Sequence, residues 1–314
     1  MGRCISSFFI FVRGILMGIA DSVPGVSGGT VAMIVGIYER LVNAISSFGM
    51  EFLSLLLKRK WKDAFHHADM GFFLTLLLGI IVGLGAFSII MTDLLQNHIP
   101  VTFGAFMGMI LASVIILFRQ IRKKDFASGA AMVIGAIFAW WITTRDPIAA
   151  GQDNSLLYIF MCGLVAICAM ILPGISGSYI LLILGEYHHI IERVKDLAHF
   201  RTTPSDLLTL CVFGAGCVIG LLSFSRVLKY LLKNHHSITL SVLTGFMAGS
   251  LNCLWPFQQQ IEGEFKCLGM SEFSVQTQIY ALCAFLAGLV GVLVLEQIAS
   301  FLANPTDKSK NSGK

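Results

Sequence analysis

Pro24-Gly25-Val26-Ser27-Gly28 and Pro173-Gly174-Ile175-Ser176-Gly177 are one phrase written twice, 149 residues apart in a chain of 314. Aligned without a gap, residues 11–38 and 160–187 agree at ten of 28 positions. Besides the phrase itself these are Phe11/Phe160, Gly14/Gly163, Ala20/Ala169, Ile34/Ile183, Gly36/Gly185 and Tyr38/Tyr187. Each copy lies inside a long apolar stretch. Proline removes a backbone donor and glycine opens backbone angles that other residues avoid. The phrase therefore ends an incoming helix, turns the chain and lets a new helix start at Ser27 or Ser176. Helix breaks at matching places in two halves of a membrane chain point to a transporter binding site.

Composition puts the chain in a membrane. Apolar residues make up 56% and charged residues 13%, against roughly 25% charge in a soluble domain; mean hydropathy is +0.79. The formal charge of +4 is then a matter of where the basic residues fall, not a sign of a nucleic-acid partner. Six stretches approach the length of about 20 apolar residues that a bilayer core requires: 71–91, 101–118, 128–143, 206–223, 238–255 and 277–302. No long hydrophilic block interrupts them. A single membrane transport domain is expected over 1–314, with repeat one at 8–143, repeat two at 155–302 and a short tail at 303–314. The apolar N-terminus lacks a small-residue cleavage site and reads as mature structure. The eight cysteines form no C-x-x-C and read as small hydrophobes between helices. The histidine pairs, His188-His189 among them, read as solvated segment ends.

Charge decides whether the two broken segments, 8–45 and 155–191, cross the bilayer. If both are re-entrant hairpins, sixteen basic residues fall on one side, from Arg3 and Arg40 through 58–62, 119–124 and 226–233 to the C-terminal lysines. Only Arg145, Arg193, Lys195, Arg201 and Lys266 fall on the other. Full crossing would blunt the split to about thirteen to eight, so the positive-inside rule favours hairpins and cytoplasmic termini. Each half is then one hairpin plus three spanning helices. Three is odd, so the second half is inverted and the two Pro-Gly tips meet near the midplane. Later echoes support the duplication. Leu94-Leu95-Gln96-Asn97-His98 matches Leu231-Leu232-Lys233-Asn234-His235, and Gly79 and Gly83 match Gly216 and Gly220, all offset by 137. The expected fold class is an all-α polytopic membrane protein built of two inverted repeats.

The first N–H groups of the helices beginning at Ser27 and Ser176 have no intrahelical partner. In a bilayer they must face protein or a polar cavity, and such an end suits an anion, phosphate above all. Gly25, Ser27, Gly28 and Thr30 in the first copy, and Gly174, Ser176, Gly177 and Ser178 in the second, are the candidates for holding one anionic head group. Arg13, in the first arm, can neutralise a phosphate. Asp21, three residues before Pro24, and Glu186, after Gly185, are charges at membrane depth and can carry a coupling proton or sodium ion. The competing reading makes the serines N-caps, the glycines packing positions, Arg13 a snorkelling side chain and Glu186 an interfacial one. No Walker loop, H-E-x-x-H or G-x-S-x-G occurs; no catalytic residue, metal site or cofactor is expected.

Gly18-Ile19-Ala20-Asp21-Ser22-Val23-Pro24-Gly25-Val26-Ser27-Gly28-Gly29-Thr30, followed by Gly36-Ile37-Tyr38-Glu39, resembles the signature of the bacterial undecaprenyl phosphate (polyprenyl-phosphate) translocases. Leu172-Pro173-Gly174-Ile175-Ser176-Gly177-Ser178 with Leu184-Gly185-Glu186-Tyr187 is similar to their second motif. The resemblance runs from about Arg13 to about Ala299. It implies a carrier of undecaprenyl phosphate from the outer to the inner leaflet of the cytoplasmic membrane, recycling the lipid for cell-envelope glycan synthesis. It supplies no catalytic residues. An ion-coupled transporter of a small soluble anion is the alternative, and a membrane enzyme acting on lipid phosphate is a third reading.

Overall fold

The structure, a computed structural model, describes residues 2–21, 27–145, 155–261 and 264–303. Fourteen α-helices and one short hairpin of strands are found among them. The helices are α1 (Gly2–Asp21), α2 (Gly28–Ile34), α3 (Tyr38–Ser46), α4 (Met50–Leu57), α5 (Trp61–His67), α6 (Met70–Asn97) and α7 (Ile99–Gln120). They continue with α8 (Phe126–Thr143), α9 (Leu156–Ile171), α10 (Gly177–Ile183), α11 (Tyr187–Ala198), α12 (Pro204–Asn234), α13 (His236–Gly249) and α14 (Val275–Ala303). Strands β1 (Gln258–Ile261) and β2 (Glu264–Cys267) pair antiparallel, Gln258 opposite Cys267. The all-α expectation thus needs this one correction. A polar run, Gln258-Gln259-Gln260, cannot extend an apolar helix, and it pairs locally instead.

Among the described residues six helices are long and apolar enough to cross a membrane, at the six stretches expected. They are Met70–Phe87, Ile99–Gln120, Phe126–Thr143, Pro204–Asn234, His236–Leu254 and Val275–Val294. Their outward faces carry large apolar side chains, such as Leu78 and Ile81 on α6, Ile134 and Ile137 on α8, and Leu282 and Val290 on α14. Contiguous exposed apolar surface of this kind fits a lipid environment and not water. The segment between α3 and α6 holds the basic residues 58–62. It folds into α4 and α5, with α3 and α4 bent by 56°. Only residues 199–203 separate α11 from α12. That difference accounts for the drop in repeat offset from 149 to 137.

The contacts cluster into two compact units, residues 1–92 with 122–250, and residues 93–121 with 251–314. The first holds both broken segments. In it α1 packs on α6 through small residues. A Cβ added to Gly14 would collide with the Leu76 carbonyl, one on Gly79 with Phe11, and one on Gly83 with Ile15. On α9 and α12 the same meetings recur, Gly163 with Phe213, Gly216 with Phe160 and Gly220 with Leu164. Every residue of the second set is its counterpart in the first displaced by 149 or 137. Backbones approach this closely in membranes only where side chains are small.

A second packing is also written twice. Within the first unit α8 meets α13, Gly245 against Met132 and Gly135 against Val242. Within the second, α14 meets α7, Gly108 against Phe285 and Gly288 against Ala105. Gly108 and Gly245 differ by 137, as do Ala105 and Val242, while Met132 and Phe285 differ by 153, as do Gly135 and Gly288. The second spanning helix of each sequence repeat is thus paired with the third spanning helix of the other.

Candidate functional site

After each phrase a new helix starts, with Ser27 and Ser176 at the N-cap; Ser27 caps with its side chain and Ser176 does not. In the second, α10 doubles back on α9. The Tyr158 hydroxyl, at the start of α9, donates to the Leu184 carbonyl at the end of α10, 2.8 Å away. Gly177 lies against the Ala166 backbone, where a Cβ would come within 2.7 Å of the carbonyl oxygen. In the first, α2 returns against the end of α1, and the Gly28 N–H donates to Asp21 Oδ1 at 2.5 Å. Pro24 and Gly25, the heart of the first phrase, lie outside the described residues.

The two tips meet. Helix α9 ends in the interior, where its last carbonyls have no intrahelical donor. Hydroxyls from the first segment fill the gap. Ser27 Oγ donates to the Met170 carbonyl at 3.1 Å and the Tyr38 hydroxyl to the Ile171 carbonyl at 3.0 Å. In return the Gly174 N–H donates to Thr30 Oγ1 at 2.9 Å. Ser27 and Thr30 are 2% and 0% exposed. Gly174 itself has φ +87° and lies on α13, where a Cβ would meet Met247 Cα at 2.7 Å. No bulkier residue fits that turn.

The predicted anion-holding residues therefore divide. At tip one the donors are used by the chain itself. The Asp21 carboxylate takes the Gly28 N–H, Ser27 Oγ accepts the Gly29 N–H at 3.2 Å, and Thr30 is a buried fastener. At tip two the residue matching Asp21 is Met170, which has no carboxylate to offer. Ser176 Oγ lies 2.7 Å from Ser178 Oγ, and Ser176 is half-buried while Ser178 is exposed. The Tyr179 hydroxyl points away, donating to the Thr143 carbonyl at 2.9 Å. Arg13 is half-buried on α1, and no ion pair is found for it among the described residues. It makes none with Asp21, as their spacing of eight residues, about 12 Å along a helix, predicts.

Glu186 was open between interface and interior, and it is wholly buried. Its Oε2 lies 2.9 Å from His189 Nδ1. His189 was expected as a solvated segment end; its side chain is 29% exposed and tied to that carboxylate. The i, i+3 spacing on a helix beginning at Tyr187 is the signal that would have found the pair. Arg193 continues the same helix and pairs through Nε with Asp206 Oδ1 of α12 at 3.1 Å. Among the described residues no group of three or more His, Cys, Asp or Glu side chains is arranged to hold a metal ion.

The sequence pattern of the VCA0040-like family, described as undecaprenyl phosphate translocase-like, matches residues 17–272. A protein of Vibrio cholerae named polyprenyl-phosphate transporter is 35% identical over 314 residues, covering 95% of this chain and 99% of its own. The chain belongs to the undecaprenyl phosphate translocase-like family. A second relative in this family, a Staphylococcus aureus protein also named polyprenyl-phosphate transporter, is 30% identical over 256 residues, covering 78% of this chain and 85% of its own. No solved structure matches the chain. Family membership and six apolar helices of spanning length together make this a multi-pass membrane protein.

Proposed function

We propose that this protein carries undecaprenyl phosphate from the outer to the inner leaflet of the bacterial cytoplasmic membrane, returning carrier lipid for cell-envelope glycan synthesis. The observation that carries the reading is the similarity, over 95% and 78% of this chain, to two proteins named as polyprenyl-phosphate transporters. It is a transporter in this reading and not an enzyme. A phosphate head is costly to place in hydrocarbon, while a long polyprenyl tail belongs there. Protein polar groups near mid-depth let the head pass while the tail stays in lipid.

In this reading the two broken segments are re-entrant hairpins in inverted repeats, both termini are cytoplasmic, and repeat one spans 8–143 and repeat two 155–302. The charge split supports the topology, and the twice-written helix packing supports the duplication. The phosphate docks at tip two, on Ser176, Gly177 and Ser178, with Arg13 as the compensating charge. Ser27, Thr30 and Gly174 serve it less directly, by holding the tips together, and Gly28 by bonding the Asp21 carboxylate; Gly25 is a candidate by its place in the phrase alone. Asp21 and Glu186 are the candidates for a coupling proton or sodium ion.

The test is a leaflet-resolved assay in proteoliposomes. Undecaprenyl phosphate placed in the outer leaflet should reach the inner one faster with protein than without. Transport of free phosphate, with no movement of the lipid, would establish the soluble-anion alternative. Release of phosphate from the lipid would establish an enzyme.

A further inference from the structure

Glu186 stands where the fold does not need it. Displaced by 149, its counterpart in the first segment is Ile37, which is also buried. The same turn precedes both. Gly36 has φ +70° and Gly185 φ +75°, and the Ile37 and Glu186 N–H groups bond back to Ala32 and Leu181 alike. Ile37 builds this turn with an apolar side chain. At Glu186 the chain instead buries a carboxyl group, which is costly unless paired. The pair is also particular to this half, because His189 corresponds to Arg40, whose side chain bonds Asp69 on the surface.

The groups around the pair fix its charge balance. Helix α9 presents the Tyr158 hydroxyl and the Cys162 thiol within electrostatic reach of Glu186. From α12 comes Asp206, already engaged by Arg193, which also donates to the His189 carbonyl at 3.2 Å. With Arg193 and Asp206 cancelling one another, the carboxylate and neutral imidazole together carry one negative charge in the interior. One added proton makes the pair neutral, whichever partner holds it. An imidazole nitrogen donating to a carboxylate suits a proton and leaves a sodium ion few oxygen ligands.

We propose that Glu186 and His189 form the proton-binding site that couples lipid transport to a proton gradient, with the part-exposed imidazole as its entrance and the buried carboxyl as its inner station. The transfer is simple. Protonated His189 gives its Nδ1 proton to Glu186 Oε2, leaving a neutral imidazole and a carboxylic acid. The coupling half of this inference rests on the transport reading above; the proton site does not.

Two measurements on the full chain separate those halves. Infrared pH titration of the purified protein should reveal a protonated-carboxyl band that Glu186→Gln removes. If parent and variant give identical spectra, no proton resides there and the proposal is overturned. In proteoliposomes, an acidic outer face should raise parent undecaprenyl phosphate flux several-fold, and Glu186→Gln should abolish that stimulation. His189→Gln should keep the infrared band but lose most of the acid stimulation, because it removes the part-exposed entrance and leaves the inner carboxyl in place. A parent that transports the lipid without any response to the gradient also overturns the proposal. A parent that moves no lipid sinks the transport reading, and the infrared band still decides whether the proton site exists.

Discussion

Tip one and tip two are built from the same five-residue phrase, yet they do different work. Tip one spends its polar groups on the protein. Asp21 holds the start of α2, Ser27 reaches the Met170 carbonyl, and Thr30 holds Gly174. Tip two places Met170 where tip one has Asp21, and its two serine hydroxyls lie near each other at an accessible edge. In the proposed reading, a duplicated motif has split into a fastener and a seat. Few substitutions explain the difference. Those at 21/170 and 29/178 change the available oxygens, and that at 30/179 replaces a hydroxyl that accepts the Gly174 N–H by one that donates to the Thr143 carbonyl.

The comparison breaks most severely at Gly174. Gly174→Ala adds a Cβ 2.7 Å from Met247 Cα and forces a positive φ on an L-residue. Overpacking and the backbone penalty together should cost about 2–4 kcal/mol. A drop in thermal midpoint of the detergent-purified protein checks this. The variant should lose stability and not merely activity. A fully stable variant would mean that the tips do not lock at this point.

Thr30→Val is expected to come next. It keeps the shape and removes the acceptor of the Gly174 N–H, leaving a buried donor unpaired. A loss of about 1–2 kcal/mol is expected, read by the same unfolding assay. Ser27→Ala removes one donor to Met170 together with the α2 cap, for about 1 kcal/mol. If the two losses exceed additivity in the double variant, or fall short of it, the tips act as one cooperative contact. Strict additivity would make them independent.

Much of this was legible in the sequence. The phrase at 24–28 and 173–177 located both helix breaks, because proline and glycine act locally whatever surrounds them. The spans were legible because length and hydropathy alone decide them. Basic residues 58–62 gave no hint of α4 and α5, since their apolar side chains Met50, Leu53, Leu57, Trp61 and Phe65 are diluted by charge and interrupted at Arg59, where φ is +56°. The division of the site was not legible either. Which hydroxyl meets which carbonyl depends on how residue 27 meets residue 170, and nothing local encodes a contact across 143 residues. Glu186 was visible as a charge at depth, but its partner was hidden among histidines that looked interfacial.

Smaller in its effect on folding is Asp21→Asn. The amide oxygen still accepts the Gly28 N–H but without the charge, so about 0.5–1.5 kcal/mol should be lost. The seat at tip two should be untouched, and head-group affinity for undecaprenyl phosphate should stay within about twofold of the parent, a change worth roughly 0.4 kcal/mol. A large fall in affinity would move the seat to tip one.

The most direct test is the smallest change to the fold. Ser176→Ala with Ser178→Ala should leave the thermal midpoint nearly unchanged, because both residues lie at an accessible edge away from the contacts joining the tips. Hydrogen bonds to a charged group are each worth about 1.5–3 kcal/mol. Binding of undecaprenyl phosphate to the purified double variant should therefore weaken by at least about tenfold. Parent-like affinity in a folded double variant would contradict the assignment of tip two as the seat of the phosphate.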